Sequence, residues 1–222
     1  FIKHVGAGGD TTLGTSAAIA VPAAGVAAGN TLIVTVAMDP AAGTVSCGDS
    51  QGNVYTKDAD VPNGTGTAGV RTVVFSATMT TALGAGDTVS VSFPTVAAKG
   101  VSVDEFAGLA PSPGLDQSAL AIGTSTTPSS GFTAATSQAS ELLLGAIGAE
   151  TESTQPLVAG PSYTALVPGS SGGAGAPGSN VTIVPEFRGV AATGSFAAGA
   201  TLQVPRPWAV ALVTYRAAAA PG

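Results

Sequence analysis

Charge, cysteine, histidine and aromatic side chains are all scarce in this chain. Only 9% of its 222 residues are charged, 7 Lys+Arg against 13 Asp+Glu, where soluble domains carry about a quarter. A net charge of −6 without a basic cluster leaves nothing to neutralise phosphates, which excludes a nucleic-acid partner. One Cys excludes a disulfide framework and a multi-Cys metal site. One His excludes the His clusters of zinc enzymes. Aromatics are 5%, too few for a broad stacking platform. Long apolar runs are missing too. The uncharged span Thr11 to Met38 is broken by Gly14, Pro22, Gly25, Gly29 and Asn30. A membrane helix needs about 20 mostly apolar residues, so no membrane insertion is expected.

What is abundant is Gly (31) and Pro (15), about a fifth of the chain, with Ala, Thr and Ser. The chain opens on Phe1 with no basic segment before an apolar one. That is the expectation for a secreted or cell-surface bacterial protein whose signal has been removed. Asn63-Gly64-Thr65 and Asn180-Val181-Thr182 are formal glycosylation sequons, of a kind that arises by chance in Thr-rich sequence. Cys47 reads as a small apolar residue on a strand.

Strand signals dominate. Thr31 to Met38 is β-branched and stops at Asp39-Pro40, and Val70 to Met79 is a second such run. Asp87 to Phe93 alternates strictly, with Val89, Val91 and Phe93 on one face and Thr88, Ser90 and Ser92 on the other, as a half-buried strand does. Val101 to Phe106, Glu141 to Ala149, Ser162 to Val167, Val181 to Arg188 and Trp208 to Arg216 follow, separated by Gly- and Pro-rich turns. Leu115, Leu120 and Ile122 suggest one strand more. Pro168 to Asn180, built from small residues and Pro, reads as an exposed loop. No stretch has capped helical periodicity. The fold expected is all-β, an antiparallel, jelly-roll-like sandwich of about twelve strands.

The chain also repeats itself weakly. Asn53 to Thr56 matches Pro161 to Thr164, Val70 to Phe75 matches Val181 to Phe187 with one insertion, and Val101 to Phe106 matches Val210 to Tyr215. The near-constant offset of about 110 residues divides the chain into halves, approximately 1–109 and 110–222. A single domain over 1–222 is expected, with two separate sandwiches as the alternative.

Few motifs carry chemistry. Gly64 to Gly69 and Gly173 to Gly178 match a dinucleotide fingerprint, but each precedes a strand, and the fingerprint works only at a helix N-terminus. Gly169 to Gly173 matches the hydrolase elbow around Ser171; no helix follows and its only base would be His4. Glu150 and Glu152 would share one face of a strand, as a glycosidase pair could. Trp208 and Tyr163 could stack on sugars, although Trp208 opens an apolar strand. Asp49, Asn53, Asp58 and Asp60 cluster around a Gly52-Asn53 turn. Either Asp49 caps that turn, or the four oxygens bind calcium, which takes about six to eight oxygen ligands. No other cofactor is implied.

Ala28 to Val34, Asp49 to Tyr55, Val103 to Leu109, Ala192 to Phe196 and Trp208 to Val213 together resemble a widespread β-sandwich domain of secreted bacterial surface proteins. That family has no assigned activity. The resemblance covers nearly the whole chain, rests on turn and core residues, and implies a surface-exposed, non-catalytic module. It transfers no catalytic residue. The expected function is therefore a structural subunit that self-associates, as a filament if strands are exchanged. Phe1, Ile2, Lys3, His4 and Val5 could add to a neighbour's sheet edge or form an edge strand of their own sheet. A polysaccharide-binding module and a glycosidase using Glu150 and Glu152 are the alternatives.

Overall fold

The computed structural model describes residues 1–111, 114–151, 158–173 and 175–219. They form sixteen strands, all antiparallel where paired. The first half holds β1 (Lys3–Asp10), β2 (Gly14–Ala20), β3 (Thr31–Met38), β4 (Ser46–Asp49), β5 (Thr56–Thr65), β6 (Ala68–Thr78), β7 (Thr88–Val96) and β8 (Lys99–Phe106). The second holds β9 (Leu115–Ser125), β10 (Ser140–Ala149), β11 (Val158–Ala159), β12 (Thr164–Ala165), β13 (Gly169–Ser170), β14 (Thr182–Ala191), β15 (Ala200–Thr201) and β16 (Arg206–Arg216). Twelve have four residues or more; β11, β12, β13 and β15 have two.

The two halves repeat one topology. In the first, a sheet runs β1-β8-β3-β6-β5; in the second, its counterpart runs β9-β16-β10-β14-β12. Opposite the first lies β2-β7-β4, which gives the strand order of a jelly roll. Opposite the second lies a reduced version, the β11–β15 pair and a bridge between Ser129 and Gly199.

Four layers result, and the residue pattern explains the stacking. Leu32, Val34, Val36, Phe75, Val91 and Val103 pack between the two sheets of the first half. Ile33, Val74, Phe106, Leu144, Ile183, Ala211 and Tyr215 fill the space between the two long sheets. Ile147, Trp208 and Val210, with Leu143 and Leu212, face the reduced outer layer. β3 and β8 are therefore covered on both faces and buried along their whole length, which is why β3 reads as a continuous apolar run. β7 has one covered face and keeps its strict alternation.

Small residues let the two long sheets approach closely. A side-chain carbon on Gly148 would strike the Thr72 hydroxyl, which donates to Ala209 O at 2.8 Å. Asn63 Nδ2 donates across the same gap to Gly123 O and Trp208 O, both at 2.9 Å. Tyr215 OH donates to Asp58 Oδ2 at 2.6 Å. At one end, β13 lies directly on the β1–β8 pair, where Gly9, Gly100 and Gly169 meet backbone to backbone.

Gly64 to Gly69 forms the β5–β6 hairpin, with Gly66 at φ 64° as the first loop residue, the glycine-first form of a two-residue turn. Its counterpart before β14 is a longer excursion that contains a 3-10 turn, Pro177–Ser179. The stretch Pro168 to Asn180, expected to be exposed, buries Gly169, Ser171 and Asn180, because glycine lets β13 pack on the first half. Among the described residues, no helix is long and apolar enough to cross a membrane.

Candidate functional site

The N-terminal segment is already paired within its own chain. Ile2 N–H donates to Glu105 O at 2.8 Å, and Lys3 opens the β1–β8 ladder opposite Glu105. Phe1 stacks on Phe187, with centroids 5.3 Å apart, and meets Phe106 edge-on at 5.5 Å. Lys3 Nζ pairs with Glu105 Oε2 at 3.0 Å, His4 Nδ1 meets Asp104 Oδ1 at 2.9 Å, and Val5 is buried. Of the two roles open to Phe1 to Val5, the structure shows the edge strand of their own sheet. Adding them to a neighbour would first break these contacts.

The other sheet edges differ in how they are guarded. β5 carries Lys57, Asp58, Asp60, Pro62 and a bulge; charges, proline and bulges all discourage further pairing. β1 has Lys3, Asp10 and a bulge, β4 is four residues long, and β12 and β13 are two each. β9 has none of these defences beyond its start: Gln117 to Ser125 is uncharged and free of proline. Among the described residues its one paired neighbour is β16. Leu120 and Ile122 are 48% and 53% exposed. They stand opposite Ala211 and Ala209, whose side chains belong to the core between the long sheets. The apolar face of that core thus runs out past its last strand.

The four acidic and amide side chains considered for calcium are spent on other bonds. Asp49 Oδ1 accepts from Gln51 N–H at 3.0 Å and Asn53 N–H at 3.1 Å, and Oδ2 from Asn53 Nδ2 at 2.9 Å and Tyr55 OH at 3.1 Å. Asn53 Oδ1 accepts from Thr80 N–H and hydroxyl and from Thr81 N–H. This is the side-chain cap of the Gly52-Asn53 turn. Asp58 serves Tyr215, and Asp60 forms a two-pronged pair with Arg71, 2.7 and 2.8 Å, and a bond to Lys57. The structure brings Asp49 and Asn53 together and gives Asp58 and Asp60 separate partners. Among the described residues, no group of three or more His, Cys, Asp or Glu could hold a metal. Substituting Asn53→Ala strips the turn of its bonds to Asp49, Thr80 and Thr81 and is expected to lower stability by about 2–3 kcal/mol. Thermal unfolding checks this, and added calcium should leave both proteins' Tm unmoved.

The remaining candidates are placed as follows. Glu150 accepts the Gly69 N–H, and burial pushes its carboxyl upward; Glu152 lies outside the described residues. Ser171 Oγ donates to Asn180 Oδ1 at 3.2 Å, while His4 is engaged with Asp104, so no nucleophile–base pair forms. Trp208 is buried against Gly123 and donates from Nε1 to Ser125 Oγ at 3.0 Å. Tyr163 OH donates to Ala197 O at 3.1 Å. The Trp208 ring is not free, while Tyr163 is partly buried. Both sequon asparagines use their amide groups internally, Asn63 across the sheets and Asn180 to Ala176 O. Cys47 packs on the first-half core, and burial lifts its thiol to about 12, which makes it a poor nucleophile.

Sequence reasoning missed several buried acids. Glu186, fully buried, accepts N–H bonds from Gly160 at 2.7 Å and Gly199 at 3.2 Å. Neighbouring Asp104 and Glu105 point to opposite faces of β8, and both are buried because both faces are covered. Comparison with known proteins adds no relative: no family model, no curated protein and no solved structure matches the chain.

Proposed function

We propose that the chain is a non-enzymatic structural subunit of an extracellular or cell-surface assembly, joined to its copies by edge-to-edge pairing of β9. The observation that carries this is the unguarded outer edge from Gln117 to Ser125, with Leu120 and Ile122 beside it. Antiparallel pairing of two β9 strands is self-complementary, so a residue i that meets j is matched by j meeting i. If the two-fold axis lies near Ala121, Asp116 falls opposite uncharged residues of the other copy, and no like charges meet. Leu120 and Ile122 of both copies then cover each other, at about 1 kcal/mol for each half-exposed side chain. β9 alone closes a dimer. Growth into a filament requires a second edge, and β2, uncharged from Gly14 to Ala20 and regular beyond its bulge at Gly14–Ser16, is the one we assign. The low charge of the whole chain weakens repulsion between approaching copies.

The test is the double variant Leu120→Lys/Ile122→Lys, compared with the parent by light scattering and negative-stain microscopy. The parent should associate, and the variant should associate at least about a hundred-fold more weakly. Both should unfold at nearly the same temperature, since the altered side chains are exposed. A monomeric parent at high concentration, or a variant that assembles equally well, would remove the proposal.

A further inference from the structure

A crevice of about 490 Å³ lies where β1 meets the β12–β13 segment of the second half, lined by Phe1, His4, Leu166, Val167, Pro168 and Phe187 among others. Its walls are apolar except at Thr164 and at His4, the single histidine of the chain. That ring is held from behind. Asp104, 2% exposed, places Oδ1 2.9 Å from His4 Nδ1. Ser102 sits 3.2 Å from the other carboxyl oxygen and donates its hydroxyl to Val167 O at 2.7 Å, which ties the dyad to the crevice wall. Burial pushes the Asp104 carboxyl upward, opposed by its bond to His4.

This contact fixes the ring, and with the imidazole donating from Nδ1 to the buried carboxylate its Nε2 is left as an acceptor. Among the described residues no protein group bonds to Nε2. Apolar walls with one oriented polar group are the usual form of a small-molecule site. Among the described residues no hydroxyl is hydrogen-bonded to the imidazole, and Ser102 contacts Asp104 instead, so no nucleophilic triad is assembled. Binding, not acyl transfer, is what the arrangement supports.

We infer that this crevice binds a small aromatic molecule with one weakly acidic O–H, a phenol, which donates to His4 Nε2 while its ring packs against Phe1 and Phe187. The Phe1–Phe187–Phe106 cluster supplies ring edges and faces at 5.3–5.7 Å spacing, a setting that favours another aromatic ring. The site is separate from β9, since β12 beside the crevice and β9 are opposite edges of the second long sheet.

The test uses untagged protein, in which one imidazole gives one unambiguous set of nuclear magnetic resonance signals. Titration with 2-naphthol should saturate at one molecule per chain and shift the His4 Nε2 resonance. 2-Methoxynaphthalene, which has the same rings without the O–H, should bind about ten-fold more weakly. In His4→Leu the two probes should bind alike. The wild-type measurements decide the matter even if that variant does not fold. No saturable shift at Nε2, or equal affinity of wild type for both probes, would overturn the assignment.

Discussion

Gly169→Ala is expected to cost about 3 kcal/mol or more, enough to lower Tm by roughly 10 °C in a chain of this length. A side-chain carbon at Gly169 would fall 2.6 Å from both N and C of Val101 and closer still to its carbonyl oxygen. These are backbone atoms of β8, held on one side by β1 and on the other by β3, and cannot move aside as a flexible side chain would. A side-chain carbon at Gly100 would meet the same crossing, 2.7 Å from the Gly169 carbonyl. The strain can be relieved only by lifting β13 from the first half, which opens the boundary between the two repeats. Gly48→Ala is the matched control, since nothing lies within 4 Å of a carbon added there and its φ is not positive. It should stay within about 0.5 kcal/mol of the parent. Chemical denaturation of both variants measures the difference, and equal stabilities would mean that the halves are not docked at this crossing.

Stability is also expected to fall as pH rises from about 5 to 8. Burial raises the carboxyls of Asp58, Asp104, Glu141, Glu150 and Glu186. A group with a raised folded pKa holds its proton more tightly in the folded state. Its contribution is full below the unfolded value of about 4 and is lost as pH climbs through the folded one. In Asp60 and Glu105 burial is outweighed by bonds to Arg71 and to Asn30, so their pKa values fall; these contributions are lost on the acid side. The maximum therefore lies in mildly acidic solution. Glu186→Ala leaves the Gly160 and Gly199 N–H groups without their acceptor and should cost about 3 kcal/mol near pH 5. The loss should shrink as pH rises through the raised Glu186 pKa and the parent itself comes to bear a buried charge. Tm measured across pH 4–8 checks both statements; a flat profile, or one that rises to pH 8, contradicts them.

Much of this fold could be read from residue order. Val89, Val91 and Phe93 announce β7 because one face of its sheet meets water. Thr31 to Met38 matches β3 residue for residue. The internal repeat is real in topology, down to the matching order of both long sheets. Its alignment over β14 is where pattern matching failed. Matching Phe75 to Phe187 required an inserted residue, but the ladders place Phe75 opposite Val34 and Glu186 opposite Gly145. The core position filled by Phe75 in the first half is thus taken by a buried glutamate in the second. There it ties down two loops, because the opposing sheet has shrunk to two-residue strands. Nothing in composition or periodicity announces a charge at a core position. The His4–Asp104 pair was hidden for a similar reason, since its members are 100 residues apart and meet only through β1–β8 pairing.

Pairing through β9 is tested most directly by cysteine cross-linking in a Cys47→Ser background. Single cysteines are placed at Ser118, Leu120, Ile122 and Thr124, and the variants are mixed pairwise under mild oxidation. Antiparallel pairing of β9 with β9 joins only those positions whose residue numbers add to one constant sum, and it forms no link from cysteines placed at Lys57 on the guarded β5 edge. Absence of any intermolecular link along β9, or links without a constant sum, would contradict assembly through this strand.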